Sequence, residues 1–181
     1  MARQVVDQKK LAAAAASANR RWKYSADVML AGLRALVAGR NAANAAGLGD
    51  NHGAIASVER VLDILRVHLA HTAVSRSDTL KRDPAIEGTK EAFAARARGE
   101  RVEVEHIYPR REVAQNVCAL VERGATDQEI RDYIVATSRV VLLTPEQRAA
   151  VDAVPGNRSR YVADRLERAG LKTSRLRPKA A

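Results

Sequence analysis

The sequence predicts a mainly α-helical protein with a small two-stranded antiparallel β element, an α+β fold. Three observations predict it. Hydrophobic residues make up 46% of the chain but aromatics only 3%, so alanine carries much of the apolar count, and alanine favours helix. Long stretches space their apolar residues three and four apart, the helical period. Only two short segments have strand character, residues 101–105 and 139–143. At 181 residues the chain is long enough for one domain, or one domain with an extension, around a core without staples.

Residues 1–23 read as an alanine-rich basic helical arm. From Ser25, a plausible N-cap on composition, Val28, Leu30, Leu33, Leu36 and Val37 mark a helix with Asp27 in its first turn. Asn41 to Gly53 is a breaker zone holding Gly47, Gly49, Asp50 and Asn51, and predicts a loop. A second helix is expected from about Ala54 to Ala73, with Ile55, Val58, Val61, Leu62, Leu65, Val67 and Leu69 on a wide apolar face. Ser75 to Pro84 reads as loop, and Ala85 to Ala97 as a shorter helix stopped by Gly99.

The character then changes. Arg101-Val102-Glu103-Val104-Glu105 alternates charged and apolar residues, the strand period, and Pro109 ends it. Glu112 to Arg123 returns to helical spacing with Gly124 as its stop. Thr126 and Glu129 have the spacing of a capping box, which predicts a helix through Ile130 and Ile134. Arg139 to Leu143 is a second strand. Thr144-Pro145-Glu146-Gln147 starts another helix: threonine caps, proline takes the first helical position, and glutamate faces the positive end of the dipole. Pro155-Gly156-Asn157 is a turn, and Arg160 to Ala169 a last helix before Gly170. The chain thus divides into a helical region over 1–99, a strand-and-helix core over 100–157 and a basic helix and tail over 158–181.

The formal net charge is +10, with a pI of about 10.3, which favours a polyanionic partner and says nothing about fold. From Arg158 onward stand eight basic residues and two acids. Cys118 is the only cysteine, so an intrachain disulfide and a cysteine zinc cluster are both excluded. That suits a reducing cytoplasm, and the apolar helical surroundings of Cys118 predict a buried small hydrophobe rather than a nucleophile. No apolar run approaches the roughly 20 residues of a membrane span. The segment from Lys9 to Ala18 has the outline of a signal peptide, but it is short, weakly hydrophobic and runs into Arg20-Arg21-Trp22-Lys23.

The segment with most chemistry is Val104-Glu105-His106-Ile107-Tyr108-Pro109-Arg110-Arg111. Neutral imidazole near pH 7 can take a proton from water, and a neighbouring carboxylate can hold a hard cation. This stretch, with Arg139-Val140-Val141-Leu142-Leu143-Thr144-Pro145-Glu146-Gln147 as second strand and final helix, resembles the core of the His-Asn-His nucleases, the ββα-metal fold. The likeness covers about residues 101–153 and implies a ββα-metal-like core within a helical domain. It implies a metal-dependent endonuclease that hydrolyses phosphodiester bonds in nucleic acid, DNA favoured over RNA. His106 would be the general base, Glu105 the first ligand of Mg2+ (or Mn2+), and Glu146 the oxygen ligand on the final helix, with Gln147 and Asp152 in reserve.

The sequence departs from that family in two places. Ser138 or Arg139 stands where the second strand usually opens with asparagine, and the final helix begins without histidine or asparagine. A helical insertion, about Glu112 to Thr137, separates the strands. Neighbouring strand residues also point to opposite faces, so Glu105 and His106 share a site only if the strand ends or twists there; Pro109 restricts Tyr108 and favours that.

Arg110, Arg111, Arg139, Arg158, Arg160 and Arg165 are the expected phosphate contacts. Trp22 and Tyr24, among basic residues, could stack on bases or anchor a helix. His68 and His71 can share a helical face, but partly buried or surface histidines are the simpler reading. His52 lies in a glycine-rich loop that follows no strand and lacks the phosphate-loop lysine, so no nucleotide site is expected there. The rival reading is a non-catalytic helical nucleic-acid-binding protein, with salt-sensitive binding and no metal requirement. A third is an assembly factor that uses the helices for protein contacts.

Overall fold

The computed structural model describes residues 25–49, 52–69, 80–81, 86–156 and 160–175. The expected N-terminal arm with Trp22 and Tyr24, and also His71 and Arg158, lie outside the described residues.

Ser25 stands in extended backbone and its hydroxyl accepts from the Val28 N–H, which starts α1 (Ala26–Ala45). The helix runs past Asn41 because alanines follow it, and the chain turns at Gly47, where φ is +74°. α2 (His52–Leu69) carries Ile55, Val58, Leu62 and Leu65 on its buried face. β1 (Glu87–Gly88) follows, where the sequence predicts the start of a helix. α3 (Lys90–Ala97) begins only after Thr89, whose hydroxyl accepts from the Ala92 N–H at 3.1 Å.

β2 (Glu103–His106) leads through Pro109 into α4 (Arg110–Glu122). α5 (Asp127–Ala136) opens with the expected capping box: the Thr126 hydroxyl accepts from Glu129 N, and the Glu129 carboxylate accepts from Thr126 N at 2.7 Å. β3 (Val140–Leu143) runs into α6 (Pro145–Ala153), where Thr144 caps, Pro145 sits in the first turn and Gln147 completes a second box. α7 (Arg165–Arg168) is shorter than the expected last helix, and β4 (Ser174–Arg175) ends the described chain.

Two cores result. In the helical one, Leu30, Leu33 and Val37 of α1 meet α2, and α2 meets Val113 and Val117 of α4 and Ile130 and Ile134 of α5. The expected insertion between the strands is therefore what binds the sheet region to the helical half. Cys118 is buried here, as expected for a small hydrophobe. The second core joins Leu80, Ile86, Phe93 and Val102 to Leu142 of β3.

The sheet corrects the expected two-stranded element. Among the described residues it has four short strands in the order β2-β3-β1-β4. β3 is antiparallel to β2 and parallel to β1, and β4 is antiparallel to β1. The fold is thus mainly helical with a small mixed sheet. Two-residue strands carry no alternation to read; Glu87 and Gly88 are strand because their backbone pairs with Val141 and Leu142. Gly88 suits the close approach: a Cβ would meet Leu142 Cβ and O and Phe93 Cζ at 3.0 Å, tighter than ordinary side-chain contact. No helix among the described residues is long and apolar enough to cross a membrane.

Candidate functional site

β2 and β3 are a short antiparallel ladder, with Glu103 opposite Leu143, Val104 opposite Leu142, Glu105 opposite Val141 and His106 opposite Val140. The Ile107 N–H extends it by one bond, to the Arg139 carbonyl at 3.1 Å. α6 then packs across both strands. The order strand, strand, helix therefore exists in space despite the insertion. Regular pairing through His106 also means that the pleat sends Glu105 and His106 to alternate faces.

Glu105 meets the helix. Its carboxylate lies 2.6 Å from the Arg148 guanidinium, and Arg148 Nε donates to Asp152 at 3.3 Å, one turn along α6. A guanidinium thus sits between two carboxylates. Glu146, the expected second metal ligand, is elsewhere: it is exposed in the first turn of α6, beside a shallow cleft that Glu91 and Glu100 also line. Its carboxyl is held below the usual range by the Thr144 hydroxyl and the helix-start backbone. Gln147 serves the fold, accepting from Thr89 at 2.7 Å. Of the expected ligands, Glu105 and Glu146 thus line two different clefts, and Asp152 is the one that shares an arginine with Glu105. Among the described residues no group of three or more His, Cys, Asp or Glu could hold a metal ion. As arranged, the Arg148 guanidinium pairs with both Glu105 and Asp152, so these two carboxylates already share a cationic partner.

His106 faces cations. It is half-buried at the end of β2, and its pKa is pushed down to about 4, first by burial and then by the charges of Arg66, Arg110 and Arg148. The imidazole is neutral at pH 7. Asp63 of α2 anchors this cluster: Arg66 donates to it at 3.4 Å, and Arg110 at the start of α4 pairs with its other oxygen. Burial pushes the Asp63 carboxyl up, against the pull of Arg110 and Arg66. Arg148 is the common neighbour, paired with Glu105 and adding to the field at His106.

Most of the expected phosphate contacts are engaged within the fold. Arg110 pairs with Asp63 but keeps 42% of its side chain exposed. Arg111 lies 3.4 Å from Glu59 and Arg160 3.9 Å from Glu112. Arg139 donates twice to Glu87, at 3.1 and 2.6 Å, and the Thr173 hydroxyl donates to the same carboxylate. These bonds hold the Glu87 carboxyl below its ordinary range even though burial opposes them. Arg165 donates through Nε to the Val151 carbonyl at 3.2 Å.

Sequence reasoning passed over Asp63, Arg66 and Arg148 as a group, and Tyr161 altogether. Asp63 with Arg66 and Arg148 with Asp152 have pairing spacing on a helix, which signals an ion pair but not what it faces. The Tyr161 ring stacks on Tyr108 with centroids 4.5 Å apart and planes 12° from parallel. Nothing in the sequence around Tyr161 announces this. No family model, no curated protein and no solved structure matches this chain.

Proposed function

We propose that this chain is a nucleic-acid endonuclease of the His-Asn-His type, with His106 as the general base. The observation that carries the reading is the strand–strand–helix unit: β2 ends in His106, pairs antiparallel with β3, and α6 lies across both. Two further features support it. One is that His106 is neutral at pH 7, the form a general base needs; the other is the positive field of Arg66, Arg110 and Arg148, which suits a phosphate although it also weakens the imidazole as a base. In this reading Arg110, whose side chain is the most open of the cluster, takes a non-bridging phosphate oxygen, and Arg66 and Arg148 add positive potential where charge develops. His106 removes the proton of the attacking water as its oxygen bonds to phosphorus and the P–O3′ bond breaks, and the leaving oxygen takes a proton from solvent. The +10 net charge supports a polyanionic substrate.

A second reading is favoured by one specific observation. Arg148 stands between Glu105 and Asp152, where the family resemblance would put a divalent cation. With an arginine in place of a cation there, Arg110 can hold a backbone phosphate without cleavage, which is the non-catalytic nucleic-acid-binding protein. One experiment separates the two. Full-length protein is incubated with labelled DNA and RNA in magnesium, manganese or EDTA, and both binding and strand length are read. Cleavage that falls about 10²–10⁴-fold in His106→Ala supports the nuclease. Binding that survives EDTA, with intact strands under every condition, selects the binding protein and sinks the nuclease.

A further inference from the structure

The outer side of α1 is an apolar helix face that nothing in the described fold covers. Leu30, Leu33 and Val37 turn to the core, while Asp27, Arg34 and Arg40 turn sideways to Arg131, Asp127 and Glu122. Between residues 28 and 42 every exposed residue is valine, leucine, alanine or glycine. A surface helix ordinarily turns charged and polar side chains to water on that side. Val28 is 54% exposed, and Leu48, just past the helix, 72%. Val28, Gly32, Ala35, Gly39 and Ala42 follow one another at alternating steps of four and three, the spacing of a helix-to-helix seam. The two glycines are a separate sign. Glycine inside a helix costs stability relative to alanine, and a Cβ at Gly32 or Gly39 would meet nothing within 4 Å, so the described fold does not call for them. A second helix packed at close backbone distance does.

We infer that the chain's own N-terminal segment docks on this face, with residues 11–18 as the part in contact. Twenty-four residues precede Ser25, all outside the described residues, and they join α1 at its first turn. Residues 11–18 are six alanines, one serine and one leucine, a composition that favours helix and brings small side chains to meet small ones. Residues 19–24 suffice for the turn, since helix-to-helix connections commonly take about 2–8 residues. A second copy is the weaker occupant. A face about 21 Å long on a helix about 10 Å wide falls well short of the roughly 800 Å² that each partner of a stable dimer buries. A segment of the same chain loses no translational freedom when it docks, so a small face holds it. Docked this way, the segment keeps the connection bearing Arg20, Arg21 and Lys23 at the start of α1, whatever polyanion those cations meet.

The test is hydrogen–deuterium exchange of the full-length protein, read by mass spectrometry at residues 11–18, with sedimentation to give the mass. The wild type is expected to be a monomer whose amides in that stretch exchange at least about tenfold more slowly than those of an unstructured chain. Ala35→Glu and Gly32→Glu each put a charge on the face without disturbing the described fold, because Ala35 is exposed and a Cβ at Gly32 meets nothing. Both should return residues 11–18 to unstructured rates, while amides at residues 55–65 in α2 keep their protection and report an intact fold. Unprotected amides in the wild type, or protection that survives both substitutions, overturns the docking. Protection that appears only with a doubled mass assigns the face to a second copy and overturns it too.

Discussion

His106 and Arg148 carry opposite lessons about what single residues reveal. His106 was legible as a candidate because it follows an acid at the end of an alternating strand, three residues before Pro109. Its environment was not legible: Asp63 and Arg66 come from a helix 40 residues upstream and arrive only through packing of α2 on α4. That environment has a pH consequence. The folded pKa of about 4 lies below the ordinary 6.5, so between these values the unfolded chain binds a proton that the folded chain does not. Stability should therefore rise as pH climbs from about 4 to 6.5 and be complete above that. Chemical denaturation across this window should show a shallower rise for His106→Gln, with a difference of at most about 3 kcal/mol. Equal slopes for both proteins would contradict a buried neutral imidazole. Arg148 makes a second residue-scale prediction. Replacing it by methionine removes the guanidinium that Glu105 and Asp152 share, at a cost of about 1–3 kcal/mol. Magnesium should then raise the melting temperature of Arg148→Met more than that of the wild type. An identical magnesium response would show that the two carboxylates do not form a cation position.

At the level of elements, the helix starts were the best-read features, because a cap is a local contract between a side chain and two or three backbone groups. Ser25, Thr126 and Thr144 all cap where their sequence context predicts. Thr126→Ala should cost about 1 kcal/mol in equilibrium unfolding, and a cost near zero would mean that the box adds nothing beyond packing. Strands were read only where alternation ran for several residues. β1 and β4, two residues each, exist through their partners' backbone, and Gly88 is strand because the chain must pass close to Leu142 and Phe93. Gly88→Ala puts a methyl against a backbone oxygen that cannot swing away, so it should destabilise by about 1–3 kcal/mol. A thermal melt unchanged by that substitution would contradict the close approach. The expected helix from Arg160 shrank to Arg165–Arg168 for a readable reason: Asp164 takes a left-handed backbone, φ +56°, which breaks a helix before it.

Across the whole molecule, the charge is distributed differently from what the total suggests. Residues 86–156, which hold the sheet, the arginine cluster and α6, contain ten basic and twelve acidic residues. Residues 1–24 contain six basic residues and one acid. Both the +10 and its absence from the strand-and-helix region can be counted in the sequence; what only packing decides is that Arg110, Arg111 and Arg139 find Asp63, Glu59 and Glu87. Affinity for nucleic acid should accordingly depend on residues 1–24 and on the basic stretch from Arg158 onward. Changing Arg20, Arg21 and Lys23 together to glutamine should lower the slope of log affinity against log salt by about 2–3, with strand cleavage of bound substrate preserved. An unchanged slope would place the contacts elsewhere. The central claim, that His106 is the base of a nucleic-acid hydrolase, is tested most directly by the initial rate of supercoiled-plasmid nicking at neutral pH, wild type against His106→Ala. Nicking by the wild type, reduced at least about a hundredfold in a folded variant that binds DNA equally well, is the predicted result. Equal rates for the two proteins, or none from either while binding persists, would contradict it.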